Sequence, residues 1–119
     1  MAITRAPPDI SPLDFFTRWI PDSVAGDHVR REKLGATAAR IVFELGGDGG
    51  GLFTLEIEQG VVAGRSGDHG EADLRVRVDM ITWRSLNAGE LSAPEALLKR
   101  RLKLTGDFVL GLKLHLILG

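Results

Sequence analysis

The residues best equipped for chemistry sit together in one short stretch, SGDHGEAD, which brings Ser66, Asp68, His69, Glu71 and Asp73 within eight positions. As metal ligands, Asp68, His69, Glu71 and Asp73 would supply three carboxylates and one imidazole. That set lacks a second histidine in register and any thiolate, and His28 and His115 are remote in the chain. As a hydrolytic site, Ser66 would attack with His69 as base and Asp68 as the orienting carboxylate. A triad packed so tightly in sequence is a poor geometric fit to that arrangement. The surrounding GRSGD also departs from the nucleophile elbow G-x-S-x-G, because Asp68 stands where the last glycine belongs. The stretch reads as a solvated turn, and neither a catalytic residue nor a metal is expected.

Other chemistries are thinner still. The run GGDGGG (Gly46–Gly51) could cradle phosphate only ahead of a helix N-terminus, with a Lys-Ser/Thr pair. A strand follows it instead, so it reads as a hairpin turn. The chain has no cysteine, which removes disulfides, thiolate metal sites and cysteine nucleophiles together. A net charge of −1 gives no global field for nucleic acid or anionic membranes. The local basic runs RREK (Arg30–Lys33) and KRRLK (Lys99–Lys103) read as solvated faces. The N-terminal MAITRAPPDISP has no apolar run of signal-peptide type, and no stretch reaches the ~20 apolar residues of a spanning helix. A cytoplasmic location and no cofactor are expected.

The elements follow from caps and periodicity. Ser11 and Pro12 open a helix, with Asp14 placed as a capping partner, and Phe15, Phe16, Trp19 and Ile20 form its apolar stripe. Pro21 is expected to end it. Trp19 should pack this helix either on the domain or on a partner. Residues 22–34 read as a second helix, broken at Gly35. Alternation then takes over. Ile41, Phe43 and Leu45 share one side of a strand, with Arg40, Val42 and Glu44 on the other. Phe53, Leu55 and Ile57 alternate with Thr54, Glu56 and Glu58, and Leu74, Val76, Val78 and Met80 with Asp73, Arg75, Arg77 and Asp79. A short strand at Val61–Ala63 lies between. Acidic residues on one strand and arginines on another predict cross-strand pairs on a wet face. After Asp79 a helix runs toward Gly89, a capping box at Ser92 and Glu95 opens another, and Leu102 and Leu104 mark a fifth strand. The class is α+β: a mostly antiparallel sheet with helices on one face.

The tail TGDFVLGLKLHLILG is ambiguous by period alone. Leu110, Leu112, Leu114, Leu116 and Leu118 alternate like a strand, yet Asp107 is a good N-cap and residues 110–116 hold no β-branched residue. Helix is the expectation. It would be apolar nearly all round, so the sheet can cover one side and something else must cover the other.

From about Ala36 to Gly119 the chain resembles the sterol carrier protein type-two family. The resemblance rests on IVFELGGDGGGLFTLEIEQG, on EADLRVRVDM followed by a helix ending LNAGEL, and on LKLTGDFVLGLKL. Arg100 and Arg101 stand where many members have a glycine before the fifth strand, and KRRLKLTGDFVLGLKL looks closer to a bacterial branch associated with isoprenoid-quinone biosynthesis. The resemblance implies a five-stranded sheet, with a C-terminal helix closing an apolar tunnel for lipid. Residues 1–30 would form an extension with helices and 31–119 the lipid-binding domain. Carried over, Phe43, Phe53, Leu55, Ile57, Val76, Val78 and Met80 floor the tunnel. Trp83, Leu86 and Leu97 wall it, and Phe108, Leu112 and Leu116 close it. His115 or Lys113 would orient a headgroup at its mouth. The function implied is non-catalytic carriage of a sterol-like, acyl or isoprenoid-quinone ligand. The expected partners are that hydrophobic lipid, a transiently touched membrane surface, and a second copy or partner enzyme, with no nucleic acid. Two other readings stay open: an adaptor that docks a partner through the Phe15/Phe16/Trp19 helix, and a small hydrolase using Ser66 and His69.

Overall fold

The computed structural model describes residues 6–118, His115 by its backbone only. The alternating stretches become β1 (Ala39–Gly46), β2 (Gly51–Glu58) and β4 (Leu74–Asp79); β3 (Val61–Ser66) and β5 (Leu102–Gly106) complete one sheet in the order β3-β2-β1-β4-β5. β1 and β4 run parallel and every other pair is antiparallel. Ile41, Phe43, Leu45, Phe53, Leu55, Ile57, Leu74, Val76 and Val78 are buried on the inner face. The glycine run makes the β1–β2 turn, where Gly50 N–H bonds the Gly47 carbonyl and Gly47 and Gly49 hold positive φ.

On the outer face the expected ion pairs form in register. Arg40 meets Glu56 at 3.4 Å and Arg77 meets Glu44 at 2.5 Å. Glu56 also pairs with Arg65 of β3, and that hydrogen bond holds its carboxyl below the usual carboxylate range. These groups are substantially exposed, so each pair adds a few tenths of a kcal/mol.

The outer face is not wholly wet, however. Val42 and Thr54, expected on the polar side, are both buried. The cause is topological. β3 and β4 lie on opposite sides of the β2–β1 pair, so residues 67–73 must cross those strands. They do so on the outer face: Thr54 Oγ1 donates to the Gly67 carbonyl (2.7 Å) and accepts from His69 N–H. The Asp73 carboxylate takes the Arg40 N–H at 2.8 Å, and Asp68 pairs with Arg75.

At the N-terminus Ser11 caps α1 (Pro12–Asp14) as expected, its hydroxyl accepting the Asp14 N–H at 3.1 Å. Pro21 does not end the helix. A π-helical segment (Phe15–Trp19) follows α1 and leads straight into α2 (Ile20–Ala25). Ile20 N–H reaches back five residues to the Phe15 carbonyl. That wider turn makes room for the proline ring, which sits at the start of α2, where a missing N–H is tolerated. The expected second helix starts later, as α3 (His28–Leu34), because the Asp27 side chain caps it at Arg30 N–H.

After β4, Asp79 caps α4 (Met80–Asn87) by accepting the Thr82 N–H at 2.7 Å, which lowers its carboxyl pKa. The Ser92–Glu95 capping box opens α5 (Ala93–Leu98). The tail is helical but not one helix. Asp107 caps α6 (Phe108–Leu112), the chain turns at Lys113, and α7 (Leu114–Leu118) follows. Gly111, a poor helix former, packs where a Cβ would lie 3.1 Å from Leu104.

The N-terminal helix lies against β3 with almost no clearance. A Cβ built on Gly64 would sit 1.8 Å from the Phe16 carbonyl oxygen. Both partners are backbone, so neither can rotate away. Gly64→Ala should lower unfolding free energy by about 3 kcal/mol, the upper range for overpacking, as read by urea denaturation. An unchanged midpoint would show that the helix does not seat here.

Candidate functional site

The space between sheet and helices is an apolar layer whose centre is aromatic. The Phe16 ring stacks on Phe53 with centroids 5.0 Å apart and planes 15° from parallel, and lies 4.8 Å from Phe43. Trp83 of α4 closes the same cluster, 6.4 Å from Phe16 and edge-on to Phe15 at 5.3 Å. Such pairs add roughly 1 kcal/mol each beyond their buried area. Ile20, Val24 and Leu34 continue the roof, fully or almost fully buried. Arg84 stacks its guanidinium 4.8 Å from the centre of the Trp83 ring and donates to the carbonyls of Pro8 and Ile10. The segment ahead of α1 is thereby strapped over the cluster.

Of the residues that the family resemblance implies for a tunnel, Phe43, Phe53, Leu55, Ile57, Val76, Val78, Trp83 and Leu116 are buried in this layer, and Met80 and Leu86 pack against it half-buried. Leu97, Phe108 and Leu112 stand outside it, 41%, 65% and 76% exposed. Leu110, Leu114 and Ile117 supply the tail's buried contacts together with Leu116. The N-terminal stripe was legible as a helix face, but its target was not: Phe15 and Phe16 pack on this chain's own sheet. That leaves only Trp19, half-buried, as a part-exposed aromatic of the surface the adaptor reading requires.

The tail is held by Arg30, which the sequence placed only in a solvated run, and by Lys113, which it placed at a tunnel mouth. Arg30 of α3 donates from Nε to the Leu116 carbonyl and from Nη2 to the Ile117 carbonyl, both at 2.6 Å, and from Nη1 to Ser23 Oγ. A cation at the carbonyl end of α7 is electrostatically well placed. Burial lowers the Arg30 pKa, yet arginine stays charged. Lys113 Nζ meets Thr37 Oγ1 at 2.9 Å, so its ammonium is anchored to the turn before β1. The side chain of His115 lies outside the described residues.

The hydrolytic and metal constellations do not assemble. The His69 ring nitrogen lies 2.5 Å from the backbone carbonyl of Ser66, not its hydroxyl, and Asp68 is engaged by Arg75. Among the described residues no three His, Asp or Glu side chains converge to hold a metal ion. Nor is any helix among them long and apolar enough to cross a membrane.

A five-stranded mixed sheet whose apolar face is roofed by helices defines a class of domain built to enclose apolar surface. The chain belongs to the SCP-2 sterol transfer family, whose model matches residues 22–119. Membership implies lipid binding or transfer. Among curated proteins no relative matches. Among solved structures it is similar to the stereoselective inverting sec-alkylsulfatase Pisa1 from Pseudomonas sp. (25% identity, TM-score 0.67), covering 91% of this chain but only 16% of that one. It is also similar in fold to palmitated SCP2L2 from Aedes aegypti (15% identity, TM-score 0.60, 87% of this chain and 94% of that one). A third structure is the ubiquinone synthesis protein UbiJ-SCP2 (16% identity, TM-score 0.58, 89% and 85%).

Arg30→Met keeps the stem and removes all three donors. Amide exchange across residues 114–118 should then accelerate by about tenfold or more, and stability should fall by about 2 kcal/mol. Unchanged exchange would mean that α7 is held by its leucines alone.

Proposed function

We propose that this chain carries a long-chain lipid, acyl or isoprenoid, between its sheet and its helices, without catalysis. The observation that carries the reading is Phe16: a phenyl ring stacked on Phe53 and tilted against Phe43, presented by a π-helical segment rather than a regular one. The ring fills the ground a guest would need. It also hangs from a π turn, a rare form found mostly at functional sites, and only the ring, not the backbone seated against Gly64, has to swing aside.

The balance of energies suits a carrier. Exposing one phenyl ring costs about 2–3 kcal/mol. A guest of about fifteen methylenes gains at most ~12 kcal/mol on leaving water. Exchange is favourable from water, while nearly all of that gain cancels against a bilayer, whose interior is already apolar. Loading and release at a membrane can then both occur. In the loaded form Phe43, Phe53, Leu55, Ile57, Val76 and Val78 floor the guest, Met80, Trp83 and Leu86 wall it, and Leu116 roofs it. Leu97, Phe108 and Leu112, exposed without a guest, stand at the mouth. The palmitate of the Aedes aegypti structure and the ubiquinone pathway of UbiJ-SCP2 name the two ligand chemistries to test first.

The measurement is binding of a fluorescent fatty acid and of a short-tailed quinone, backed by native mass spectrometry of the purified chain. Phe16→Leu, which vacates part of the stack, should tighten binding several-fold while lowering stability by about 1–2 kcal/mol. No co-purifying lipid and no saturable binding by either protein would end the carrier reading.

A further inference from the structure

A second feature lies on the opposite face of the sheet, away from the aromatic layer. Alternation places Glu44, Arg77 and Lys103 in one row across β1, β4 and β5, and Gly46 and Asp79 in the next, where Arg101, the residue just before β5, also lines the surface. Gly46 leaves a gap in that second row, where an added Cβ would meet nothing within 4 Å. The result is a hollow of about 460 Å³, within the size range of small-molecule clefts. Arg100 completes its rim.

Its charge is lopsided and largely uncommitted. Four cations, Arg77, Arg100, Arg101 and Lys103, face two carboxylates, Glu44 and Asp79. Glu44 is taken by Arg77, and Asp79 by the N-terminus of α4. Arg101 donates only from Nε, to Thr82 Oγ1 at 3.1 Å, and its charge also helps keep the Asp79 carboxyl ionised; this fixes the guanidinium beside the hollow, with no hydrogen bond taking its terminal nitrogens. Among the described residues, no side-chain hydrogen bond or ion pair occupies Arg100 or Lys103.

The backbone at Arg100 is the second observation. Arg101 N–H bonds the Ala96 carbonyl and Arg100 N–H the Leu97 carbonyl, a helix-ending motif that places Arg100 at φ 58°. Glycine occupies this left-handed position freely, whereas arginine is strained in it. Here a strained arginine sits on the rim of a cationic hollow, next to a glycine that keeps the hollow open.

We infer that this hollow binds a phosphate group, as a free anion, a phosphomonoester or a lipid headgroup. Two unpaired cations match a dianion, and the guanidinium of Arg101 offers paired donors to tetrahedral oxygens. The site does not depend on the lipid reading, since its charged residues, unlike Val78 at its base, are not among those that would line the guest.

The test titrates the full chain with inorganic phosphate, following amide NMR shifts, and separately with phosphatidylcholine vesicles with and without phosphatidic acid. Three variants accompany it. Gly46→Glu places a carboxylate in the gap without backbone conflict, Gly46→Ala is its neutral control, and Arg100→Gly removes a cation while relieving the strained φ. Saturable shifts centred on Gly46, Asp79 and Arg101 are expected. They should weaken about tenfold in Gly46→Glu and in Arg100→Gly but persist in Gly46→Ala. Arg100→Gly should melt no lower than the wild type, which separates loss of binding from loss of fold. Vesicle binding that requires phosphatidic acid and fails in Gly46→Glu assigns the phosphate to a lipid. Phosphate binding without it assigns the phosphate to a soluble ligand. No saturation with either probe, or equal binding by Gly46→Glu, overturns the site.

Discussion

One constraint organises the molecule: a five-stranded sheet with one apolar face must have that face covered, and a chain of this length has few ways to do it. Three separate pieces share the work. The N-terminal helix lays Phe15, Phe16, Ile20 and Val24 over β1–β3, α4 brings Trp83, and the tail brings Leu110, Leu114, Leu116 and Ile117. None of the three is a long regular helix, since the continuous N-terminal run Pro12–Ala25 is broken by its π segment. α4 is the longest regular α-helix of the set at eight residues, and the tail consists of two five-residue pieces. Short helices have little stability of their own, so each holds its place through its buried side chains and a few polar clamps. Arg30 clamps the tail, Arg84 the N-terminal strap, and Asp79 and Asp107 the starts of α4 and α6.

That construction bears directly on carriage. A roof made of one long helix would move as a unit and at large cost. A roof of short pieces with separate attachments can open in part. The aromatic stack shows where opening would matter, because Phe16 touches floor and wall residues at once. The stacking geometry is specific, but most of the gain from burying the ring is hydrophobic and non-directional, so an acyl chain or a quinone ring could take its place. The family's lipid chemistry and the closed interior of this chain are thus compatible: the interior is filled by a side chain that a guest could substitute.

Local features were legible in the sequence to the extent that their causes are local. The hydroxyl and carboxylate caps at Ser11, Asp79, Ser92 and Asp107, the glycine hairpin and the alternation of three strands all follow from neighbours a few residues apart. The failures share one origin. Val42 and Thr54 read as wet because nothing nearby reveals that residues 67–73 must cross them to reach β4. Pro21 reads as a stop because the π turn that accommodates it is stabilised by packing on β3, through a contact with Gly64. The stripe of Phe15 and Phe16 announced a helix but not its destination. Arg30 belonged to a run that looked solvated, and its carbonyl partners lie more than eighty residues away.

The same distinction separates the two faces of the sheet. The inner floor was readable, since alternation dictates which side chains point inward. The outer hollow was not, although both of its unusual residues were visible: Gly46 looked like the first residue of a turn, and Arg100 and Arg101 like a departure from a glycine position. Only the pairing of β1 with β4, and of β4 with β5, brings them together. An arginine in a backbone conformation that suits glycine is a local conflict, and such conflicts persist where another requirement outweighs them. On the inner face the corresponding conflict is the π turn under Phe16. Both departures from local preference lie where a ligand of matching chemistry could be accommodated: an apolar one in place of the Phe16 ring inside, an anionic one in the open hollow outside.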